Sequence, residues 1–134
     1  MDYKLLAEKA FEAKKNAMPT YSNFFVGAAL LTEDGKVYTG CNVESSSYSL
    51  TICAERNAIF KAVSEGERNF KAIAIAADTV DFCSPCGACR QIISDICKDI
   101  DIILTNQKKE IKVLRTKDLL PFAFEETDLK TKTS

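Results

Sequence analysis

The 134-residue chain contains no histidine. Any metal site in it must therefore be built from cysteines and carboxylates, because the imidazole ligand is missing. The chain also lacks an apolar run of membrane-spanning length, and its first residues, Met1 to Lys4, lack the basic and apolar regions of a signal peptide. These absences predict one cytoplasmic domain that neither crosses a membrane nor is secreted.

A strong charge of either sign is missing as well. The chain carries 18 basic and 19 acidic residues, which gives a net charge of −1, and no basic stripe stands out. Binding to a nucleic-acid backbone would need such a stripe to neutralise phosphates. The composition, 46% hydrophobic and 28% charged, is typical of a soluble globular domain. The charge balance therefore favours a small, nearly neutral substrate and no nucleic-acid partner.

Cysteine is the informative residue type that is present, at positions 41, 53, 83, 86, 89 and 97. In a reducing compartment, a Cys-x-x-Cys pair more often binds a metal or performs redox chemistry than forms a structural disulfide. Cys86 and Cys89 form such a pair. Cys41 and Cys97 are interpreted as small buried hydrophobic residues.

Apolar periodicity predicts a single α/β domain. Helices are expected over residues 2–17 and 50–64 and after Ser84, and strands over residues 26–32, 37–43, 72–77, 102–105 and 111–114. Because residues 72–105 form a strand, a helix and a strand in this prediction, the two strands should be parallel. The expected architecture is a three-layer α/β/α sandwich, with a mixed sheet of about five strands and helices on both faces.

Two motifs carry the chemistry. The first is Cys53-Ala54-Glu55-Arg56, and the second is Ser84-Pro85-Cys86-Gly87-Ala88-Cys89-Arg90. Soft thiolates hold Zn²⁺, and three protein ligands leave a fourth position open for water. A glutamate beside the metal can carry that water's proton. Three cysteines and a glutamate at this spacing match the all-cysteine form of the zinc nucleobase deaminase signature.

Helix geometry supports one shared site. Ser84 is a natural N-cap, so Cys86 and Cys89 are expected on one face at the start of a helix. Cys53 and Glu55 are roughly 200° apart around a helix, so both can serve one metal only where that helix begins. The motifs therefore predict a zinc ion between two helix N-termini, where the helix dipole also favours thiolate.

Two other interpretations of the cysteines stay open on the motifs alone. A Cys-x-x-Cys at a helix start is also typical of a thioredoxin-like dithiol, although that chemistry needs neither Cys53 nor Glu55. A closed structural Cys₄ zinc site would add Cys83 to the other three cysteines and give a non-enzymatic module. A helix that starts at Ser84 would leave Cys83 outside it, which disfavours the closed site.

The sequence resembles the small homotetrameric cytidine deaminases over roughly residues 3 to 124. The two cysteine motifs carry the resemblance, together with Asn42-Val43-Glu44 and Leu119-Leu120-Pro121. It implies a cytidine deaminase-like catalytic domain over residues 1–124, a polar tail over 125–134, one Zn²⁺ per chain and a homotetramer with shared sites. The implied reaction is hydrolytic deamination of cytidine and 2′-deoxycytidine in pyrimidine salvage. An antibiotic-nucleoside deaminase would share the zinc motifs, so the substrate depends on the flanking residues.

The resemblance also assigns the catalytic roles. Cys53, Cys86 and Cys89 would bind zinc, and Glu55 would carry protons from the water to the ring N3 and to the leaving ammonia. A physical argument adds Arg56. Three thiolates and Zn²⁺ carry a net charge of −1, and Arg56 lies three residues after Cys53, so its side chain can return toward that sulfur. We expect Arg56 to balance the charge of the thiolates.

The remaining implied roles concern the substrate. Phe24 would stack on the pyrimidine, a contact worth about 1–3 kcal/mol. Asn42 and Glu44 would bind the ribose 3′-hydroxyl. The Ala54 amide would hold the base oxygen, and the Ser84 carbonyl would receive the amino group.

Two further residues are expected to act between subunits. The resemblance implies that Tyr48 and Phe124 reach a neighbouring subunit's site. The chain has Ser45-Ser46 where many members of the family have Asn-Ala. That difference concerns a subunit contact and the ribose end of the site, and it leaves the zinc chemistry unaffected.

Overall fold

A computed structural model describes residues 1–47 and 50–119 of the chain. The helices are α1 (Tyr3–Lys14), α2 (Ala54–Ser64), α3 (Gly87–Ile92) and α4 (Thr116–Leu119). Helix α3 continues into a π-helical turn, Ile93–Cys97. The strands are β1 (Val26–Thr32), β2 (Val37–Cys41), β3 (Phe70–Ala77), β4 (Asp101–Thr105) and β5 (Ile111–Arg115).

The five strands form one mixed sheet in the order β2-β1-β3-β4-β5. Strand β1 pairs antiparallel with both β2 and β3, and β4 pairs antiparallel with β5. Strands β3 and β4 are parallel, with Ala74 opposite Ile103. This pair confirms the predicted strand–helix–strand unit. The segment that leaves the carboxyl end of β3 leads to α3, as expected for a ligand site in an α/β sheet.

Helices cover both faces of the sheet, which confirms the three-layer prediction. On one face, α1 buries Leu6, Ala7 and Ala10 against small and branched residues of β1 and β3. On the other face, α2 and the helix after β3 bury Ile59 and Ile93. Full burial of such side chains contributes about 1.5–3 kcal/mol each. The two apolar layers therefore fix both the sheet and the helices that present the motifs.

A glycine in β2 sets the distance between that strand and α2. A Cβ atom at Gly40 would lie 2.5 Å from the Ala58 nitrogen and 2.6 Å from the Ala54 carbonyl oxygen. Only a residue without a side chain permits this approach of backbone to backbone. Gly40 therefore allows the first turn of α2, which contains part of the first motif, to lie directly against the sheet.

Two predicted helix boundaries near the first motif are wrong. Helix α1 ends at Lys14 rather than at residue 17, because the chain turns to pair Met18 with Val43. Helix α2 begins at Ala54 rather than at residue 50, because Ile52 forms an antiparallel bridge with Val43. Residues whose side-chain pattern alone favours a helix thus pair their backbone with a distant segment instead.

The predicted start of the Cys-x-x-Cys helix is also wrong. The Cys83 amide donates to the Thr105 carbonyl at 3.0 Å, so the chain is still tied to the end of β4 at that residue. Helix α3 begins at Gly87, and Cys86, rather than Ser84, occupies the N-cap position.

Some predictions concern residues that lie outside the described ranges. These are the domain boundary at residues 124 and 125, the polar tail over 125–134, and the site residues Tyr48 and Phe124. Within the described part of the chain, none of the helices has the length and apolar character needed to cross a membrane.

Candidate active site

The N-termini of α2 and α3 bring three cysteines together. Cys53 is the N-cap residue of α2 and Cys86 is the N-cap residue of α3, both with extended backbone angles. Cys89 lies in the first turn of α3 and is fully buried. The three Sγ atoms lie within 4.8 Å of one another, and those of Cys53 and Cys86 are 3.7 Å apart. The predicted convergence of Cys53, Cys86 and Cys89 is therefore present in the structure.

The spacing of the sulfurs fits a tetrahedral metal ion. With a Zn–S bond of about 2.3 Å, two sulfurs of a tetrahedral site lie about 3.8 Å apart, and the Cys53–Cys86 separation matches this value. Thiolates are ligands that suit zinc. Cys83 is outside the cluster: it is half-buried against the apolar core beneath α2. The arrangement is thus an open three-cysteine site, and the closed four-cysteine alternative loses its support.

The thiols of the cluster differ in acidity. The pKa of Cys53 falls to about 5, because Cys89 donates a hydrogen bond to it and Arg56 adds a second hydrogen bond and a positive charge. The pKa of Cys89 is raised, first by that same hydrogen bond and then by burial. Of these two sulfurs, Cys53 therefore loses its proton more readily before any metal binds.

Glu55 is buried in the first turn of α2 with 4% of its surface exposed. Burial raises the pKa of its carboxyl to about 7, and the charge of Cys53 acts in the same direction. The Glu55 backbone amide and the Cys89 thiol oppose that shift. A carboxyl with such a pKa can both accept and release a proton near neutrality, as a general acid–base group must. Glu55 therefore lies beside the cysteine cluster in the chemical state that its predicted role needs.

Arg56 turns back toward the cluster as expected. Its Nη2 atom donates to the Cys53 Sγ at 3.5 Å and to the Thr51 carbonyl at 3.3 Å. Its Nε atom is buried without a hydrogen-bond partner among the described residues. Arg90 has different contacts: it donates to the Pro85 carbonyl at 2.9 Å and to the Leu119 carbonyl at 3.1 Å. Arg56 therefore contacts a cysteine sulfur of the cluster, whereas these two contacts of Arg90 are to backbone carbonyls.

Asn42 and Glu44 lie next to the segment that carries Phe24. Asn42 is buried, and its Nδ2 donates to the Phe24 carbonyl at 2.8 Å. Its Oδ1 accepts from the Val26 amide at 2.9 Å. The Glu44 carboxylate accepts hydrogen bonds from the Tyr21–Ser22 turn, which lower its pKa. The predicted ribose-binding pair thus contacts the loop of the predicted stacking residue, whose side chain is 43% exposed.

The other two predicted substrate contacts lie at the helix starts. Ala54 is the first residue of α2, and the first amides of a helix have no intrahelical acceptor. Ser84 lies in the loop before α3, and its Oγ accepts from Arg90 Nη2 at 3.3 Å. Of the cysteines interpreted as buried, Cys97 is buried and Cys41 is only partly so.

Sequence reasoning missed Ser22 and Thr51. The Ser22 hydroxyl contacts the Glu44 carboxylate and accepts from the Phe24 amide at 3.1 Å. Serine two residues before such an amide is the signature of a serine turn, so the sequence contained this local signal. Thr51, which accepts from Arg56, had no comparable signal, because its position depends on the pairing of Val43 with Ile52.

The chain is similar to known proteins along nearly its whole length. Residues 1–104 match the family model of the cytidine and deoxycytidylate deaminase zinc-binding region. A cytidine deaminase from Sporosarcina psychrophila is 52% identical over 130 residues, with 96% of each chain covered. One from Halalkalibacterium halodurans is 47% identical, with 96% of this chain and 98% of the relative covered. A crystal structure of cytidine deaminase from Burkholderia pseudomallei matches with a TM-score of 0.90 at 47% identity, covering 92% of this chain and 100% of that one.

Proposed function

The chain belongs to the cytidine and deoxycytidylate deaminase family, and on this premise we propose that it deaminates cytidine and 2′-deoxycytidine. Water replaces the exocyclic amino group, and the products are uridine or 2′-deoxyuridine and ammonia. One observation carries the proposal: three converging cysteine sulfurs lie beside a buried glutamate with a pKa of about 7. This combination serves hydrolysis at a ring carbon, whereas a thioredoxin-like dithiol would need no such glutamate.

The metal of this family is zinc, and Cys53, Cys86 and Cys89 would hold it. When bound, zinc acts as a Lewis acid that lowers the pKa of a water molecule and so prepares it for attack. Arg56 would offset part of the negative charge of the three thiolates through its contact with Cys53.

Glu55 would move the protons of the reaction. Its carboxylate would accept one proton of the attacking water and deliver it to N3 of the pyrimidine. It would then take the second proton from the hydroxyl now on the ring carbon and pass it to the amino group, which leaves as ammonia while the C=O bond forms. One carboxyl can serve these steps because its pKa of about 7 lets it both accept and release a proton near neutral pH. Burial also keeps bulk water away from the carboxyl, so that its proton passes to the substrate.

Five residues would bind the nucleoside. Phe24 would stack on the pyrimidine ring, and Asn42 and Glu44 would bind the ribose 3′-hydroxyl. The Ala54 amide would donate to the base oxygen, and the Ser84 carbonyl would accept from the amino group. The free amide positions at the start of α2 and the polar pair beside the Phe24 loop support these assignments.

The wider setting is proposed from the family resemblance. We expect residues 1–124 to form the catalytic domain, followed by a polar tail over residues 125–134. We further expect a homotetramer in the cytoplasm that acts in pyrimidine salvage, with Tyr48 and Phe124 completing a neighbouring subunit's site. A net charge of −1 without a basic stripe supports a free nucleoside, rather than a nucleic acid, as substrate.

The reaction is tested by following the ultraviolet absorbance of cytidine, 2′-deoxycytidine, cytosine, dCMP and an aminoacylated cytosine-nucleoside antibiotic. Zinc per chain is measured in the same preparation by atomic absorption. We expect turnover of cytidine and 2′-deoxycytidine at about one zinc per chain. Turnover of the antibiotic alone would show instead that the protein acts as an antibiotic-nucleoside deaminase. A zinc-loaded protein that turns over none of these compounds would refute the proposed reaction.

The shared sites of the homotetramer are tested by subunit mixing. The Glu55→Gln and Phe124→Ala chains, each inactive or severely impaired, are mixed under conditions of subunit exchange. Mixed tetramers contain sites with an intact Glu55 and a neighbour's intact Phe124, so part of the activity should return. Mixed tetramers without recovered activity would show that each chain builds its site alone.

A further inference from the structure

The segment between α1 and β1 is a built loop that carries Phe24. The Asn23 amide donates to the Pro19 carbonyl at 2.9 Å, and Asn23 itself has a positive φ of 58°. Non-glycine residues adopt this conformation uncommonly, although asparagine does so more readily than most. The contacts that hold this loop are therefore informative about its role.

The peptide groups on both sides of Phe24 are held by side chains. The Phe24 amide donates to the Ser22 Oγ at 3.1 Å, and its carbonyl accepts from Asn42 Nδ2 at 2.8 Å. The half-exposed ring thus projects from a backbone that is fixed at its N–H and at its C=O. The position of the ring depends on these two hydrogen bonds.

Ser22 connects this backbone to Glu44. The Ser22 hydroxyl accepts from the Phe24 amide and donates its own proton to the Glu44 carboxylate. The same carboxylate accepts from the Ser22 amide at 2.8 Å and from the Tyr21 amide at 2.9 Å. Each group thus donates to the next, the Phe24 amide to the Ser22 hydroxyl and the Ser22 hydroxyl to the Glu44 carboxylate. Hydrogen bonds in such a chain polarise and strengthen one another.

The number of acceptor sites on Glu44 limits what else it can bind. A carboxylate offers about four lone-pair positions, and three donors of the Tyr21–Ser22 turn already use the Glu44 oxygens. About one position remains for a hydroxyl of a ligand. A sugar hydroxyl that donates to this remaining position would bind the same Glu44 carboxylate that holds the Phe24 loop.

We propose that Ser22 is a positioning residue that couples sugar recognition at Glu44 to base stacking at Phe24. The inference rests on the proposed nucleoside deamination and extends it. Ser22 would act without touching the substrate, by setting the position of the Phe24 ring. A sugar hydroxyl on Glu44 stabilises the loop in its stacking position, and a stacked base in turn favours the loop geometry that presents Glu44. The coupling is reciprocal, as binding free energies require.

The coupling is measured with a double-mutant cycle on kcat/KM for cytidine, with Ser22→Ala, Phe24→Ala and the double variant. Ser22→Ala should lower kcat/KM by about three- to tenfold, mainly through KM, because the neutral hydrogen bond that holds the Phe24 amide is lost. In the Phe24→Ala background, the same change should cost less than about twofold, since the ring through which Ser22 acts is gone. Ser22→Thr keeps the hydroxyl and should recover most of the loss. Equal cost of Ser22→Ala in both backgrounds would overturn the proposal.

A second readout does not depend on activity. Hydrogen exchange of the Phe24 amide, followed by NMR, should be faster in Ser22→Ala and normal in Ser22→Thr. Unchanged protection in Ser22→Ala would overturn the proposal whatever the substrate. Conversely, a wild-type protein that fails to deaminate cytidine but shows this protection pattern would reject the proposed function and leave the link from Ser22 to Phe24 intact. Ser64→Ala is the matched control, because its exposed hydroxyl makes one hydrogen bond to the Lys61 carbonyl at the end of α2.

Discussion

The Nη2 atom of Arg56 lies 3.5 Å from the Sγ of Cys53, within the cluster of three cysteines. Cys53 is the N-cap of α2 and Arg56 lies three residues on, so the side chain returns over its own first turn. The contact lowers the pKa of Cys53, after the larger effect of the hydrogen bond from Cys89. A cation at this sulfur offsets negative charge that a histidine ligand would not have introduced.

Arg56→Gln should keep zinc and lower kcat. The guanidinium bond to a thiolate is charge-assisted and about 1.5–3 kcal/mol in strength, so a tenfold or greater loss is expected, at about 1.4 kcal/mol per factor of ten. Zinc is measured by atomic absorption and turnover by the loss of cytidine absorbance. Arg68→Gln is the control, since Arg68 follows the same helix and donates to the Val63 and Glu67 carbonyls. A normal kcat in Arg56→Gln would refute charge balance by Arg56.

Loss of a metal-binding cysteine should remove zinc and activity together. Cys86→Ala and Cys89→Ala each leave two sulfurs, which are too few for a stable zinc site. Cys83→Ser is the control, because Cys83 is outside the cluster and packs against the core. It should retain about one zinc per chain. Loss of zinc from Cys83→Ser would instead favour the closed four-cysteine site.

Glu55→Gln should retain zinc and lose catalysis. The amide cannot take up or release a proton, and general acid–base catalysis by one group supplies about 10²–10⁴-fold. The size and shape of the side chain are nearly unchanged, so its buried position is filled. Turnover and zinc content are measured on the same sample. Turnover near the wild-type value would reject Glu55 as the proton carrier.

Gly40→Ala should destabilise the fold from a position outside the site. The new Cβ would meet backbone atoms of Ala54 and Ala58 at 2.6 and 2.5 Å, so α2 must shift. Overpacking of this kind costs about 1–3 kcal/mol, measured as the free energy of unfolding in urea. Gly87→Ala is the control for stability, because among the described residues no atom beyond its chain neighbours and its own helix backbone lies within 4 Å of its added Cβ. Equal stability of the two variants would contradict the close approach of β2 and α2.

Tyr3→Phe should make stability less dependent on alkaline pH. Burial, and then the hydrogen bond to Asp101, raises the pKa of Tyr3 from its usual 10.0 to about 12. A pKa raised on folding gives stability that is complete below about pH 10 and is lost as pH rises toward 12. The wild type should therefore exceed Tyr3→Phe in unfolding free energy by about 0.5–1.5 kcal/mol near pH 8, and the difference should shrink above pH 10.

At acidic pH, the comparison of the wild type with Tyr3→Phe depends on Asp101, whose pKa is lowered rather than raised. Against the effect of burial, the Tyr3 hydroxyl and the Arg115 guanidinium lower the pKa of Asp101. That stability is present above the usual carboxyl range and is lost as pH falls through the lowered pKa. The advantage of the wild type over Tyr3→Phe should thus also narrow below about pH 4. Urea titrations from pH 3 to 11 measure both limbs, and a pH-independent difference would show that Tyr3 acts only by packing.

The sequence by itself determined the metal chemistry and the class of fold. Thiol ligands and a nearby carboxylate are chemical types that the motifs state directly, and the absence of histidine left only the all-cysteine set. The strand–helix–strand pattern predicted the parallel pair of β3 and β4, because a helix that connects two strands of one sheet typically brings them together in parallel. These properties depend on residue types and on the number of residues between them, and both can be read directly from the sequence.

Tertiary structure decided where the motif helices begin. Ile52 pairs with Val43, so α2 starts at Ala54 with Cys53 as its cap. The Cys83 amide is tied to β4, which delays α3 until Gly87. Intrinsic propensities differ by less than about 1 kcal/mol per residue, and a backbone hydrogen bond to a distant segment is comparable to that difference. Such pairing overrides a local pattern, and the pattern cannot reveal it.

Tertiary structure also decided how the predicted substrate-binding residues are connected. The contacts from Glu44 to Ser22 and from Asn42 to Phe24 join residues 22 and 18 positions apart. The sequence predicted roles for Phe24, Asn42 and Glu44 only through resemblance, and the serine turn from Ser22 to Phe24 is the one part of the described network with a local signal. Hydrogen-bond partners across such separations are fixed by the sheet and by the Met18 to Val43 pairing. The physical reason is that side-chain types are local properties of a chain, whereas contacts between distant segments exist only after it folds.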